Sequence, residues 1–282
     1  MNSLILKIEY LLLIFIALFF QSCDIIKDHN FNKKIEIVEN VTTFEQDSIN
    51  SIKRFEIGLE KALLKTNANF DKNKYFEEYD ELIDSIPFRV EINLDYHFVN
   101  SEPHLIIKQF NPSDISITIF SKDKGKFNKR FSEKQWSLSH EQDYIKDVNG
   151  DGIKDFIIVH YSPSGCCLRY LNKVYLFDNS LKLFSENIEF MNPTFSPTEK
   201  IIRGICYGHS GETELYKYKW NNKQVDTLEY ISYQKNENEI KTGKFVVSKK
   251  QFIEENSDII KIINQLPKEY YQINDIDWFI GF

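Results

Sequence analysis

Apolar and polar residues alternate strictly from position 88 to position 98, and this alternation constrains the fold more than any other feature of the chain. Phe88, Val90, Ile92 and Leu94 are separated by polar residues. A period of two puts these side chains on one face, which predicts a half-buried β-strand. Further short strands, bounded by turn residues, are predicted near 104–110, 115–119, 156–161, 172–184, 201–206 and 213–234.

This spacing predicts a mainly β fold: a small antiparallel, propeller-like meander with N-terminal helices and a C-terminal helix. Apolar residues recur at helical spacing after Asp47, where they predict the first helix. A second N-terminal helix is predicted over 71–84, and a C-terminal helix over 249–265, while residues 235–250 are expected to be weakly structured. The apolar tail at 276–282 is expected to dock as a strand or a plug.

We expect five segments in the 282-residue chain. They are a lipoprotein signal peptide, a tether, a helical N-terminal segment, a β-rich calcium-loop domain, and a C-terminal extension packed on that domain, at 1–22, 23–46, 47–86, 87–234 and 235–282. The apolar content of 42%, with 15% aromatic residues, is ample for a packed core.

Residues 147–155 read DVNGDGIKD and predict a calcium site. Side-chain oxygens recur at alternate positions of the loop, and a glycine at its sixth position can take the sharp turn. The twelfth position is apolar and begins no helix, so the loop is not an EF-hand. The predicted ligands are the side chains of Asp147, Asn149, Asp151 and Asp155 and the carbonyl of Ile153. A solvated Asn/Asp/Gly turn between two strands is the alternative interpretation.

The N-terminus predicts export. Lys7 precedes an apolar run over 11–20 that is too short for a spanning helix, and Ser22 stands before Cys23. A small residue directly before a cysteine is similar to the bacterial lipoprotein cleavage box, in which the cysteine becomes the lipidated first residue. Lipidation at Cys23 would anchor the chain to a membrane of the cell envelope. An uncleaved anchor and a plain secretory signal are the alternatives.

Three further cysteines, Cys166, Cys167 and Cys206, are disulfide candidates in an oxidising compartment. Cys206 could pair with either Cys166 or Cys167, and the odd thiol would remain unpaired. A vicinal bridge and three buried thiols are the alternatives. The chain has no second cysteine pair or histidine spacing to complete a zinc site.

Composition and motifs exclude several functions. The net charge of −7 provides no basic footprint for nucleic acid. No phosphate loop or metalloprotease motif occurs, and Ser210 lacks the flanking pattern of a nucleophile elbow. We therefore expect that the chain has no enzymatic activity. Alternating aromatic residues could form a sugar platform, but core packing is the favoured interpretation for Tyr161, Tyr175, Phe177, Tyr216, Tyr218 and Trp220.

The order of these features resembles one family. The calcium loop is followed by a buried strand, YLFD at 175–178, NPTF at 192–195, a Gly-rich loop at 208–211 and YKYKW at 216–220. This pattern, over about residues 85–232, is similar to the periplasmic inhibitors of invertebrate-type lysozyme and their relatives encoded near type IV secretion systems. The resemblance implies a propeller-like fold with a structural calcium ion, and a protruding loop that blocks lysozyme.

The resemblance places the partner-binding loop at Gly208, His209, Ser210, Gly211 and Glu212. A Gly-rich loop with a hydroxyl and a carboxylate could enter a lysozyme cleft and meet its catalytic carboxyl groups. The favoured function is a lipid-anchored protein-binding module that inhibits a lysozyme-like protein. A calcium-stabilised module that binds glycans or adhesion partners is the alternative.

Overall fold

The computed structural model describes residues 43–161, 165, 167–253 and 255–281. The chain divides into two units, Met1–Gln46 and Asp47–Phe282. All contacts discussed below lie within the second unit. The signal peptide, the tether, Cys23 and Cys166 lie outside the described residues, so the predictions made for them stay predictions.

Three antiparallel sheets of four to six strands follow one another along the chain, and a two-stranded sheet is inserted within the stretch that forms the second. The first sheet has the strand order β1-β2-β3-β4-β5. It follows the helix α1 (Thr43–Asn67), and its strands are β1 (Tyr75–Ile83), β2 (Ile86–Asp95), β3 (His104–Phe110), β4 (Asp114–Asp123) and β5 (Lys126–Trp136). The predicted strand at 88–98 is thus confirmed as most of β2, whose alternate apolar side chains are buried.

The second sheet has the order β11-β8-β7-β6, with a small hairpin, β9-β10, beside it. Its elements are β6 (His140–Lys146), β7 (Asp155–Tyr161), β8 (Tyr170–Tyr175), β9 (Phe177–Asp178), β10 (Leu183–Phe184) and β11 (Ile188–Met191). The third sheet runs in chain order from β12 to β17. Its strands are β12 (Pro193–Ser196), β13 (Ile201–Ile205), β14 (Leu215–Asn221), β15 (Gln224–Lys235), β16 (Lys241–Ser248) and β17 (Ile259–Ile263).

The sheets stack face to face, so the core consists of apolar layers between them. Strand β7 explains the stacking, because it is apolar on successive residues and therefore has two buried faces. Phe156 and Ile158 pack against the first sheet. Ile157 and Val159 pack against the third sheet. The expectation that this strand is buried on both sides is confirmed.

The two outer faces of the stack are covered by different elements. Helix α1 covers the first sheet with Phe55 and Ala62. The segment after β17 covers the third sheet through a 3-10 helix (Lys268–Gln272) and the short helix α2 (Ile276–Ile280). Phe279 of α2 is fully buried. The tail therefore docks as a plug, one of the two predicted outcomes, and its conformation is helical.

The second predicted N-terminal helix, at 71–84, is wrong, because that segment forms β1. Phe76 and Leu82, expected on a buried helix face, are 63% and 71% exposed. Asp84 and Ser85 have positive φ angles of 49° and 65°, and these link Ile83 to Ile86 in a two-residue hairpin. Such loops need positive φ at both positions. The turn and the pairing with β2 override the helical spacing.

The predicted C-terminal helix at 249–265 is also wrong. The segment contains a 3-10 helix (Asn256–Asp258) followed by β17, which pairs with β16. Four of the five residues of β17 are isoleucine, and β-branched side chains favour strands over helices. Residues 241–248, expected to be weakly structured, form β16.

The prediction of a mainly β, antiparallel fold is confirmed. Within the described part of the chain the strand pairing forms open sheets, without a closed barrel or propeller.

Candidate functional site

The predicted calcium loop, residues 147–155, connects β6 to β7. Gly150 and Gly152 have positive φ angles of 74° and 86°, a conformation that L side chains rarely adopt. A Cβ atom on Gly150 would lie 2.1 Å from the carbonyl oxygen of Pro197. Gly150 is therefore needed both for the turn and for the close approach of the loop to the β12–β13 connection.

The turn at residues 147–153 is held by the side chains of the loop itself. Asp147 accepts hydrogen bonds from the backbone N–H groups of Gly150, at 2.7 Å, and Gly152, at 2.9 Å. Asp151 accepts from the N–H of Ile153 at 2.8 Å and from the Asn149 amide at 3.1 Å. Asp and Asn side chains commonly bond the backbone of a tight turn in this way.

Asp155 is fully buried at the end of the loop. Its carboxylate accepts hydrogen bonds from the backbone N–H groups of Val148 and Phe177, both at 3.1 Å. Burial, with a smaller contribution from the charges of Asp151 and Asp147, outweighs the two hydrogen bonds and raises the pKa of Asp155 to about 7. A buried carboxylate of this kind is stabilised in its charged form by a nearby cation.

The oxygen atoms of the loop are of the types that bind a hard cation, but they are not grouped around one point. Carboxylate, amide and carbonyl oxygens are the ligands that calcium prefers. However, among the residues that the structure describes, no group of three or more His, Cys, Asp or Glu side chains is placed to hold a metal ion. The turn interpretation accounts for the hydrogen bonds, and the calcium assignment remains a prediction.

The predicted partner-binding loop, residues 208–212, connects β13 to β14 and is fastened to α2. The N–H of Gly211 donates to the Trp278 carbonyl at 2.7 Å, and the indole N–H of Trp278 donates to the Gly208 carbonyl at 3.0 Å. A Cβ on Gly211 would lie 3.2 Å from the Cα of Gly281. Gly208 and Gly211 therefore pack against the C-terminal segment.

The carboxylate of Glu212 is already paired. It lies 2.9 Å from Lys235 Nζ and 3.6 Å from Lys241 Nζ. The hydrogen bond and charge of Lys235, with a smaller effect from Lys241, lower the pKa of Glu212. The exposed side chains in this region are those of Tyr207, His209 and Glu212, and Tyr207 is 52% exposed.

The described disulfide candidates are not bonded to each other. Cys206 is a buried free thiol. Burial, followed by the charge of Glu214, raises its pKa to about 12. Cys167 Sγ lies 3.8 Å from Nδ1 of His209. The favoured interpretation of the aromatic residues is confirmed for Tyr175, Phe177, Tyr216 and Trp220, all of which are buried.

One feature was missed by the sequence analysis: a polar cleft of about 420 Å³ beside the second sheet. Tyr144 and Tyr170 line it, together with the carboxylates Glu141 and Asp275. Asp275 is more than a hundred positions from Glu141 in the sequence, and no motif links them. Only the folding of the tail over the third sheet brings these residues together.

Comparison with protein-family models, curated proteins and solved structures found no significant match to this chain. None of the helices in the described ranges has the length and apolar character needed to cross a membrane.

Proposed function

We propose that this chain is an exported, lipid-anchored binding protein of the bacterial cell envelope, with a structural calcium ion in the loop at residues 147–155. The position of that loop carries the calcium proposal. The N–H of Lys154 donates to the Phe98 carbonyl, between β2 and β3, at 3.3 Å. Gly150 packs on Pro197, between β12 and β13. The loop thus touches segments of all three sheets, where an ion would stabilise the whole stack.

The calcium ion would be held by the side chains of Asp147, Asn149, Asp151 and Asp155 and by the carbonyl of Ile153. The raised pKa of Asp155 supports this, because a cation would offset the cost of its buried charge. The exposed side chains of the loop now bond its own N–H groups. Binding requires part of these oxygens to turn toward a common centre.

Thermal unfolding of the purified chain tests the calcium proposal. A ligand that binds only the folded state at a hundred times its Kd stabilises it by about 2.7 kcal/mol. EDTA should therefore lower the melting temperature by several degrees, and added Ca²⁺ should restore it. Asp151→Asn should reduce the response to EDTA, whereas Asp226→Asn, on the exposed surface of β15, should leave it unchanged. A melt that is insensitive to EDTA would leave only the solvated-turn interpretation.

The propeller-like arrangement of the sheets is also a proposal. Three consecutive antiparallel sheets packed face to face have the blade-on-blade contact of a propeller. We infer an open, propeller-like stack in which α1 and the C-terminal plug cover the faces that neighbouring blades would otherwise cover.

The partner proposed from the family resemblance is a lysozyme-like protein. His209 and Glu212 of the 208–212 loop are exposed, as is the neighbouring Tyr207, so these side chains would meet a partner. Glu212 would have to leave Lys235 and Lys241 before it could reach a catalytic carboxyl group. We propose no catalytic activity.

Inhibition assays against lysozymes of several types test this partner. We expect inhibition of at least one type, with an inhibition constant that rises about tenfold for Ser210→Ala or Glu212→Gln, as for central interface residues. Glu186→Gln, which makes the same charge change elsewhere on the surface, should leave inhibition unchanged. Full lysozyme activity at micromolar concentrations of the chain would contradict the proposal.

A further inference from the structure

The polar cleft beside the second sheet has a rigid floor. Asn192 is buried, and its side chain accepts a hydrogen bond from the N–H of Tyr170 at 2.8 Å and donates to the Ile205 carbonyl at 3.0 Å. The Tyr144 hydroxyl donates to the Asn172 amide oxygen at 3.3 Å. These bonds hold the backbone of Tyr170 and the hydroxyl of Tyr144 in place.

Tyr170 is supported from a second direction. Its ring centroid lies 4.7 Å from that of Tyr161, with the two planes tilted by 50°. Both tyrosines are partly exposed, unlike the buried aromatic residues of the neighbouring core. The cleft therefore offers an aromatic surface whose orientation is determined by its neighbours.

The charge of the cleft is negative and is not balanced locally. Glu141 and Asp275 are exposed, and neither forms an ion pair within the described ranges. No lysine or arginine is among the residues that line the cleft. Burial, and then the charges of Glu141 and Asp275, raise the pKa of the Tyr170 hydroxyl. The charges of both carboxylates therefore affect the Tyr170 hydroxyl.

This combination selects a class of ligand. Two carboxylates without a counter-ion repel phosphates and other anions. A bare metal ion needs several converging oxygens, and the described residues contain no group of three or more His, Cys, Asp or Glu side chains placed to hold one. Ammonium and guanidinium groups are attracted both to aromatic faces and to carboxylates. Only an organic cation uses both features of the cleft.

We infer that this cleft binds an organic cation, with the ammonium or guanidinium group against Tyr170 and its charge balanced by Glu141 and Asp275. The cation is either a free amine or the side chain of a lysine or arginine on a protein. The cleft contains no residue of the loops at 147–155 and 208–212. The inference therefore does not depend on calcium binding or on lysozyme inhibition.

Titration with capped amino acids, followed by NMR or calorimetry, tests the inference. The probes are Nα-acetyl-lysine amide, Nα-acetyl-arginine amide and the neutral Nα-acetyl-norleucine amide. We expect the two cations to bind in the millimolar range or tighter, to weaken as salt is added, and to exceed norleucine by at least about tenfold. Butylamine, which lacks the peptide groups, separates the two sources: equal affinity indicates a free amine, and weaker binding indicates a protein side chain.

Isosteric substitutions supply the decisive variants. Glu141→Gln combined with Asp275→Asn removes both charges and keeps the shape. Asparagine tolerates the left-handed backbone of Asp275, whose φ is 57°. The double variant should lose at least about tenfold in affinity for the cations, whereas Glu186→Gln, a charge change outside the cleft, should lose none. No cation binding, undiminished binding by the double variant, or preferential binding of chitobiose would each overturn the inference.

Discussion

At the scale of single residues, the two glycines of the 147–155 loop are needed for different physical reasons. Both have positive φ angles, but they differ in their surroundings. Gly150 faces the Pro197 carbonyl, whereas nothing lies within 4 Å of a Cβ built on Gly152. One position needs an unusual backbone and close packing, and the other needs only the backbone.

Alanine at each glycine gives a matched pair of variants. Gly152→Ala should lower the free energy of unfolding by about 1–2 kcal/mol, the cost of a left-handed alanine. Gly150→Ala should lower it by at least about 1 kcal/mol more, because the loop must also move away from Pro197. Urea unfolding measures both. Equal losses would mean that the contact between this loop and the β12–β13 turn contributes little.

Residue patterns also explain how much of the site was visible in the sequence. The run at 156–159 could be recognised because every residue is apolar, and the loop before it because its polar residues are adjacent. The cleft could not be recognised, since its charges and tyrosines come from separate segments. The ion pairs of Glu212 could not be recognised either, because Lys235 and Lys241 lie on two later strands.

At the scale of elements, the two wrong helices have a common origin. The segments at 75–83 and 259–263 carry apolar residues that fit either a helix face or a strand. Features outside these segments determine their conformation: the turn at Asp84 and Ser85 for the first, and pairing with β16 for the second. The spacing of residues within each segment does not reveal either feature.

Strand β17 is the last strand of its sheet, so one edge of its backbone is open to another strand. Ile260 and Ile262, on either side of Lys261, are 46% and 50% exposed. Lys261→Ile should cause self-association, because it removes the charge that opposes edge pairing. Sedimentation of this variant should give a larger mass than the wild type.

Lys219→Ile is the control for that experiment. Residue 219 is also an exposed lysine, but β14 pairs with strands on both sides, so the added apolar surface meets no open edge. If both variants associate equally, surface hydrophobicity is responsible and the edge is not.

At the scale of the whole molecule, one arrangement recurs: a sheet made from consecutive strands, packed on the next sheet. The apolar layers between sheets explain why strands such as β7 have two buried faces, and why α1 and the C-terminal plug are needed on the outside. The sequence predicted strands β2 to β4, β7 to β10 and β13 to β15 but missed the others. It did not predict the order of layers either, because layering depends on contacts between segments far apart in the chain.

The contiguity of the first sheet has a consequence for synthesis. Strands β1 to β5 are complete at Trp136, so the first layer can pair its strands while the later ones are still being made or threaded across a membrane. Contacts between chain neighbours form quickly, since little chain entropy is lost in closing short loops. The outer apolar face of the third sheet stays exposed to water until residues 266–279 have been made. Chaperones that bind exposed apolar surface would therefore still find a target on this face until the last part of the chain is in place.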